Sequence, residues 1–339
     1  MERKIDLLLV LIVIILALLA IVISVFLLSD EPLRTLHYFF LGPLKGKYYI
    51  GNFLNLVGTL ILGALGFSIA MQSGSFNLGG EGQLYGGAFM ATISTFALAQ
   101  LGGVALPLAL LIGAAFSGLI ATFSGFLKLK WGTNELITTF LISYALILVI
   151  NYLVGGPFLD PATNLIATRK IAPQFHLAKI LEPSNLNTGL IYALIGVVLV
   201  DLYLNRSKSG YALKMVGYNP QFALYSGLRV GWYRLWPMFL SGALYGLAGG
   251  LSIFGTYHAT VKEFSMGMGW NALAVALIAR YRPWAIVPSA LFFAYLEAGS
   301  RNAMLHSDVT FEIISIVQAV IFFFITSALL QKRRRGDHG

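Results

Sequence analysis

The sequence predicts an all-α integral membrane protein with about ten transmembrane helices, and composition and segment length are the observations that predict it. Of its 339 residues, 58% are hydrophobic and only 11% are charged, and the mean hydropathy is +0.79. Soluble globular domains carry about 25% charged residues. A helix needs about 20 consecutive apolar residues to cross a bilayer, and several stretches of the chain reach or approach that length.

Polar and basic interruptions divide the chain into ten apolar segments, which we interpret as a single transmembrane domain covering residues 1–339. The first helix falls within residues 1–30, and the eighth segment is too short to span a bilayer by itself. The segments cover residues 5–28, 51–71, 84–99, 104–127, 136–154, 188–204, 235–254, 270–279, 284–299 and 311–330.

The positions of Lys and Arg predict the orientation of these segments. With ten crossings and both termini in the cytoplasm, 15 of the 23 Lys and Arg residues lie on the cytoplasmic side. Cytoplasmic loops of membrane proteins carry such an excess of positive charge. Residues 205–234 then form a cytoplasmic loop, and residues 155–187, the longest polar region, form an extracytoplasmic loop.

Several chemistries find no support in the sequence. Cysteine is absent and no two of the five His residues lie at i, i+4, which disfavours a thiolate or paired-histidine metal site. No G-x-x-x-x-G-K-[ST] phosphate-binding loop occurs. The net charge of +9 is distributed over short loops, so we expect no nucleic-acid partner. We therefore expect no cofactor in this chain, and active transport would need an ion gradient or a partner ATPase.

Two glycine-rich interruptions predict helices that are broken near the membrane. The first reads GSFNLGGEGQ at residues 74–83, and the second covers residues 255–269. Irregular backbone is tolerated there only where protein buries it or where it lines a water-filled cavity. Glu81 is a functional candidate as an ionisable group near a span, although a helix-capping role explains it equally well. Because a similar pattern occurs at 51–99 and 235–279, an inverted internal repeat is expected.

The basic segment 205–234 contains a short predicted helix with both ends marked. Asn219 is a good N-cap, Pro220 suits the first helical position and Gly227 suits a left-handed stop. A helix of about two turns is too short to be stable alone in water. It therefore needs a surface to dock on, which we expect to be a soluble cytoplasmic partner; an ordinary loop helix on the membrane surface is the alternative.

Four motifs, in this order along the chain, resemble those of permease subunits from bacterial ABC importers for nucleosides. FNLGGEGQ at 76–83 resembles the family's FNIGGEGQ, and TNELITT at 133–139 resembles VNEVIST. GGPFLDP at 155–161 is similar to GPFKDP, and GYALKMVGYNP at 210–220 is similar to the GxxLRAVGxNP loop of the wider ribose and branched-chain amino acid permease group. Lys214 stands where Arg is common, which keeps the charge and removes the bidentate fork.

The resemblance, which covers about residues 45–330, implies a ten-helix importer permease in the bacterial cytoplasmic membrane. Its cytoplasmic loop would dock on an ATP-binding subunit, which holds the ATP. The resemblance also implies an extracytoplasmic substrate-binding lipoprotein and a second permease subunit, either a different chain or another copy of this one. The residues expected to couple the chain to the ATPase are Lys214, Gly217, Asn219, Pro220, Phe222, Tyr225 and Gly227.

A nucleoside is neutral and polar with a flat base, so its pathway needs hydrogen-bonding groups and aromatic faces rather than charge. The expected pathway residues are Phe76, Asn77, Glu81, Gln83, Asn134, Glu135, Trp270 and Asn271. The amides among them would equally serve to satisfy backbone groups freed by the broken helices. Two alternative functions stay open: a pentose-type sugar importer permease, and an ion-coupled secondary transporter, which the sparse charge within the spans disfavours.

Overall fold

A computed structural model describes Leu19, residues 22–27 and residues 29–310. The predicted first segment lies largely outside these residues and the tenth lies wholly outside them. Short 3-10 turns cover Gly42–Leu44, Ala99–Val104 and Pro173–Phe175, and a π-helix covers Ile253–Tyr257. The α-helices are α1 (Pro32–Leu41), α2 (Lys47–Gln72), α3 (Gly80–Leu98), α4 (Ala105–Trp131), α5 (Glu135–Gly155), α6 (Gly189–Arg206), α7 (Lys208–Tyr218), α8 (Pro220–Tyr225), α9 (Val230–Ser252), α10 (Met268–Ile278) and α11 (Pro283–His306).

The helices are long and apolar enough to confirm the predicted class of helical membrane protein. Among the described residues, five helical stretches meet the length and hydropathy needed to cross a membrane: 47–72, 80–131, 135–155, 189–206 and 230–257. The second stretch contains both α3 and α4, because Gly102 interrupts the helix with φ 58° and ψ −133°. α10 has only 11 residues, as expected for the short eighth segment. The count of ten crossings and the inverted repeat stay predictions.

Small residues allow α3, α4 and α9 to pack at very short range. A Cβ added to Gly249 would lie 2.0 Å from the Leu84 carbonyl oxygen, and one added to Gly87 would lie 2.3 Å from the Cα of Gly246. Lipid gives no hydrophobic drive between helices, so close backbone approach through small residues is how membrane helices gain packing energy. The three helices therefore form a tight core, with Tyr85 and Tyr245 among its fully buried side chains.

The described chain falls into two compact units, Leu54–Leu291 and a smaller unit that joins the residues up to Phe53 with those from Phe292 onwards. In the smaller unit, α1 packs on the last turns of α11. The rings of Tyr38 and His306 stack with centroids 4.5 Å apart, and buried Phe39 packs with Leu296 and Ala303. The prediction that the chain forms one transmembrane domain stays a prediction.

The segment 155–187 contains a small β-hairpin that the sequence did not indicate. Strand β1 (Lys179–Leu181) pairs with the antiparallel strand β2 (Leu186–Asn187). The backbone of the same segment also bonds to the stretch that follows α9: the N–H groups of Ile171 and Leu177 donate to the carbonyls of His258 (2.8 Å) and Phe254 (2.9 Å). The loop is therefore a folded structure attached to the end of α9.

His258 is in contact with this loop, since its carbonyl accepts the hydrogen bond from the Ile171 N–H. Protonation of its side chain opposes folding. Its ring stacks on that of His176 with centroids 3.6 Å apart. Burial lowers the pKa of His258, and the nearby cationic or ionisable His176, Lys179 and Lys170 lower it further. The folded state then binds fewer protons than the unfolded state, whose His pKa is about 6.5. The stability from neutral His258 is present above that value and is lost as the pH falls below it.

When the pH is lowered from about 7.5 to about 5.5, we expect the unfolding temperature of His258→Asn to fall less than that of the natural protein. Asn tolerates the positive φ of 56° at this position, so the change removes the titrating ring without backbone strain. The measurement is the unfolding temperature of the purified protein in detergent at both pH values. The exposed His37, replaced in the same way, should leave the loss unchanged. If the unfolding temperature of His258→Asn falls as much as that of the natural protein, protonation of this ring does not cause the loss of stability at low pH.

Candidate functional site

One face of α5 holds the irregular backbone that follows α2. Residues 73–79 are not helical, so their N–H groups need partners within the protein. Three buried side chains at i, i+4 and i+8 on α5 supply partners for two of these N–H groups and for one in the first turn of α3. Backbone N–H groups of Phe76, Leu78 and Gly82 donate to the side chains of Glu135 (3.0 Å), Thr139 (3.1 Å) and Ser143 (2.8 Å), respectively. Thr139 and Ser143 were not predicted, although hydroxyl groups four residues apart on an apolar helix were a usable signal.

Asn77 and Gln83 pair with each other in the interior. The Asn77 Nδ2 donates to Gln83 Oε1 at 2.7 Å, and the Gln83 Nε2 donates to Asn77 Oδ1 at 2.8 Å. Asn77 also donates to Ser241 Oγ on α9 (2.9 Å) and accepts from the Gly79 N–H (3.0 Å). The protein thus uses the whole hydrogen-bonding capacity of the Asn77 amide. This geometry is what a role in satisfying broken-helix backbone requires; contact with substrate stays a prediction.

Glu81 joins the two broken regions. Its carboxylate accepts hydrogen bonds from the N–H groups of Gly267 (2.9 Å) and Gly269 (2.7 Å) at the start of α10. A helix N-terminus has unpaired N–H groups and a partial positive charge, so a carboxylate stabilises it. Glu81 is therefore a cap, but of a helix that is remote in sequence. A Cβ on Gly269 would lie 2.4 Å from the backbone N of Glu81, so this close approach needs glycine.

The remaining pathway candidates lie at the starts of α10 and α5. Trp270, in the first turn of α10, is 41% exposed and its ring lies 6.0 Å from that of Phe140. Asn271 follows it and is half-buried. Asn134 is exposed and caps α5, since its side chain accepts from the Leu136 N–H at 3.0 Å. Their contact with substrate stays a prediction.

Glu135 is the most buried of the predicted acids in this region. It is 3% exposed and forms an ion pair with Lys128 at 2.6 Å in addition to its bond from Phe76. Lys128 lies in the last turn of α4 and Glu135 begins α5, so the pair closes the turn between the two helices. The carboxylate thus fixes residues 74–83, which we call the signature segment, and this turn together.

We expect Glu135→Ala to lower the free energy of unfolding by about 1.5–3 kcal/mol, the range for hydrogen bonds to charged groups. Glu135→Gln keeps an oxygen acceptor for the Phe76 N–H and should lose less. The measurement is thermal unfolding in detergent. Glu31→Ala is the matched control, because it breaks an exposed pair with Arg34 that contributes little. Equal unfolding temperatures for Glu135→Ala and Glu31→Ala would contradict the anchoring role.

Between the end of α6 and the start of α9, the segment 205–234 folds as two consecutive helices, α7 and α8. The predicted caps of α8 are present: the Asn219 Oδ1 accepts from the Phe222 N–H at 2.9 Å, Pro220 is the first helical residue and Gly227 has φ 79°. The preceding helix α7 was not predicted. The Ser207 Oγ caps α7 by accepting from the Gly210 N–H at 2.9 Å. A serine directly before Lys208 is a typical N-cap, so the start of this helix was predictable.

The loop helices α7 and α8 carry large apolar and aromatic side chains that are exposed. Tyr225 is 90% exposed and Tyr218 is 89% exposed, with Leu224 at 62% and Phe222 at 55%. Contiguous exposed apolar groups mark interaction surfaces, and aromatic residues dominate binding energy at such surfaces. The Lys214 Nζ donates to Asn205 Oδ1 at 2.6 Å, and its role in docking the ATPase stays a prediction.

This exposed face is connected directly to the signature segment. A Cβ on Gly217 would lie 2.3 Å from the Gln72 carbonyl oxygen and 3.0 Å from the Gly74 N, so α7 touches the turn that ends α2. Gln72 in turn donates through Nε2 to the Tyr281 carbonyl at 2.8 Å. These contacts join α7 to the end of α2 and to the turn between α10 and α11; a role in coupling stays a prediction.

Comparison with known proteins shows the protein family to which the chain belongs. Residues 49–326 match the family described as the permease component of the branched-chain amino acid transport system, and the chain belongs to this family. It is 35% identical to the "Probable riboflavin import permease protein RfuC" of Treponema pallidum, over an alignment that covers 88% of this chain and 80% of that protein. It is 32% identical to the guanosine ABC transporter permease protein NupP of Bacillus subtilis, over an alignment that covers 83% of this chain and 82% of that protein.

A third relative is the nucleoside ABC transporter permease protein NupB of Lactococcus lactis, 30% identical over 84% of this chain and 81% of that protein. The resemblance to ABC importer permeases is thereby confirmed. The chain is a multi-pass membrane permease rather than an enzyme, and the ion-coupled carrier loses its support.

Proposed function

We propose that this chain is the transmembrane subunit of an ATP-driven importer that carries nucleosides across the bacterial cytoplasmic membrane. The exposed aromatic face of α8, in direct continuity with the signature segment through Gly217, is the observation that carries the coupling role. The relatives named for guanosine and for nucleosides support the substrate class. ATP is bound and hydrolysed by a separate cytoplasmic subunit.

The geometry supports a specific route of coupling. Closure of the ATPase pair pushes on α8, and the contact of Gly217 with Gln72 transfers this movement to the inner end of α2. The hydrogen bonds of Glu81 to Gly267 and Gly269 link α3 with α10. Both broken regions therefore move with the loop, which is what rocking between outward-open and inward-open states requires.

The assembly has partners on both sides of the membrane. With both termini in the cytoplasm, the ATP-binding subunit meets the segment 205–234, and an extracytoplasmic substrate-binding lipoprotein meets the folded loop 155–187. A second permease subunit, a different chain or another copy of this one, completes the pathway. The positive charges of the loops favour this orientation.

Riboflavin is a second candidate substrate, because the relative from Treponema pallidum is named for its import. Riboflavin shares with nucleosides a flat nitrogen heterocycle joined to a hydroxylated five-carbon group, so one neutral hydrogen-bonding pathway suits both. A pentose-type sugar lacks the heterocycle. Competition of unlabelled riboflavin, adenosine and ribose against labelled guanosine uptake separates the three classes.

The function is tested first by purification of the chain from its native membrane in mild detergent, with identification of the proteins that remain bound. We expect an ATP-binding subunit to be recovered. The complex, reconstituted in vesicles with its binding protein, should accumulate guanosine only when ATP is supplied on the loop side. Uptake driven by a proton or sodium gradient without ATP would overturn the proposal.

A further inference from the structure

α4 and α9 pack on each other in opposite directions, and α3 covers one side of this helix pair. A Cβ added to Gly118 of α4 would lie 2.8 Å from the Phe239 ring of α9, and one added to Gly231 of α9 would lie 3.8 Å from Leu129 Cδ1 of α4. Helical spacing leaves an open groove on the side away from α3, where α4 ends and α9 begins. We call it the α4–α9 groove, and it is lined by Phe126, Lys130, Arg229, Trp232, Trp236 and Phe239.

A stack of three aromatic rings forms the α9 wall of the groove. Trp232, Trp236 and Phe239 occupy positions i, i+4 and i+7, which share one face of a helix. The two tryptophan rings lie 5.6 Å apart and nearly parallel at 6°, and the rings of Trp236 and Phe239 lie 5.5 Å apart at 11°. Trp232 is 56% exposed. The stack reaches about 15 Å along α9 from Arg229 at 1.5 Å per residue, so it extends from the start of the span well into it.

The outer end of the groove carries positive charge without a counter-charge. The Lys130 Nζ lies 4.9 Å from the centre of the Trp131 ring, and Arg229, which directly precedes α9, is exposed. In the part of the chain that the structure describes, neither cation forms an ion pair with an acid. Neither α4 nor α9 contains Asp or Glu, and Glu135, which follows α4, pairs with Lys128 at 2.6 Å. This end of the groove therefore favours an anion.

We propose that the α4–α9 groove binds an anionic phospholipid, with its phosphate at Lys130 and Arg229 and an acyl chain along the aromatic stack. Basic sites between membrane helices on the cytoplasmic side bind anionic head groups, and tryptophan is enriched at the membrane boundary. A soluble protein such as the ATP-binding subunit reaches the charged end, but Phe239 lies about 15 Å deeper along the span. A phospholipid supplies both the negative charge and an apolar chain of that length, so it complements the whole groove.

The test uses quenching of tryptophan fluorescence by brominated lipid, because three of the five tryptophans of the chain, Trp131, Trp232 and Trp236, lie at the groove. The full chain is placed in phosphatidylcholine nanodiscs that contain increasing fractions of brominated phosphatidylglycerol or brominated phosphatidylcholine. In the natural protein, brominated phosphatidylglycerol should quench at the lower fraction. Lys130→Gln and Arg229→Gln should each lower this preference about fivefold, the equivalent of about 1 kcal/mol for one cation near an anionic membrane surface.

The control is Arg206→Gln, which removes the same charge from the end of α6 on the same predicted side of the membrane. It should leave the preference unchanged. Lys130, Arg229 and Arg206 are all exposed, so the three variants should fold alike. Equal quenching by the two lipids in the natural protein, or a Lys130→Gln variant that behaves like Arg206→Gln, overturns the proposal. Loss of the preference when the purified ATP-binding subunit is added assigns the groove to that subunit and overturns the lipid site as well.

Discussion

Replacing Gly217 by Ala is expected to reduce ATP-driven uptake about tenfold or more while the permease stays in the membrane with its ATPase bound. The added Cβ would lie 2.3 Å from the Gln72 carbonyl oxygen and 3.0 Å from the Gly74 N. Both are backbone atoms of a tight turn in which Gly74 has φ 74°. α7 must therefore move away from the turn, and misplacement by about 1 Å is enough to impair a geometrically demanding step.

Separate measurements isolate coupling from docking. The aromatic face of α8 is exposed and is not altered by the substitution, so the ATPase should still co-purify and hydrolyse ATP. Gly231→Ala is the matched control in the same loop, because its Cβ would have only the Leu129 Cδ1 as a near neighbour, at 3.8 Å. Pro220 substitutions are expected to act like Gly217→Ala. Uptake at the natural rate in Gly217→Ala would show that this contact does not transmit movement.

Gly249→Ala is expected to cause the largest loss of stability among the substitutions proposed. Its Cβ would lie 2.0 Å from the Leu84 carbonyl oxygen and 2.9 Å from the Leu84 carbonyl carbon. These are backbone atoms of α3, so no side-chain rotation relieves the overlap and the two helices must separate. Overpacking costs about 1–3 kcal/mol, occasionally more, and we expect the upper end of that range. Yield and unfolding temperature in detergent should both fall.

Gly196→Ala provides the comparison, since it places the same methyl group in another membrane helix. Its nearest neighbour would be the Leu62 Cδ2 at 3.2 Å, the end of a flexible side chain. Alanine is also the better helix former by about 1 kcal/mol, so the variant should be close to neutral. Similar unfolding temperatures for Gly249→Ala and Gly196→Ala would mean that α3 and α9 are not packed as closely as described.

Features that depend on neighbouring residues were predictable from the sequence. The apolar segments predicted the five described helical stretches that are long and apolar enough to cross a membrane, because length and hydropathy are properties of a continuous stretch. The caps of α8 were predictable for the same reason: Asn219 bonds to the N–H only three residues later. The order of four motifs was enough to indicate the family, which the match over residues 49–326 confirms.

The tertiary structure alone decided which partners the polar residues have. Glu81 bonds to the start of α10, 186 residues away, the signature backbone bonds to α5, about 60 residues away, and Asn187 bonds to Asn55, 132 residues away. A buried polar group must be paired, but the sequence does not show which distant group will pair with it. Helix packing makes that choice. For this reason the sequence by itself determined the class and the capped helix α8, whereas the linkage of the broken helices depended on the fold.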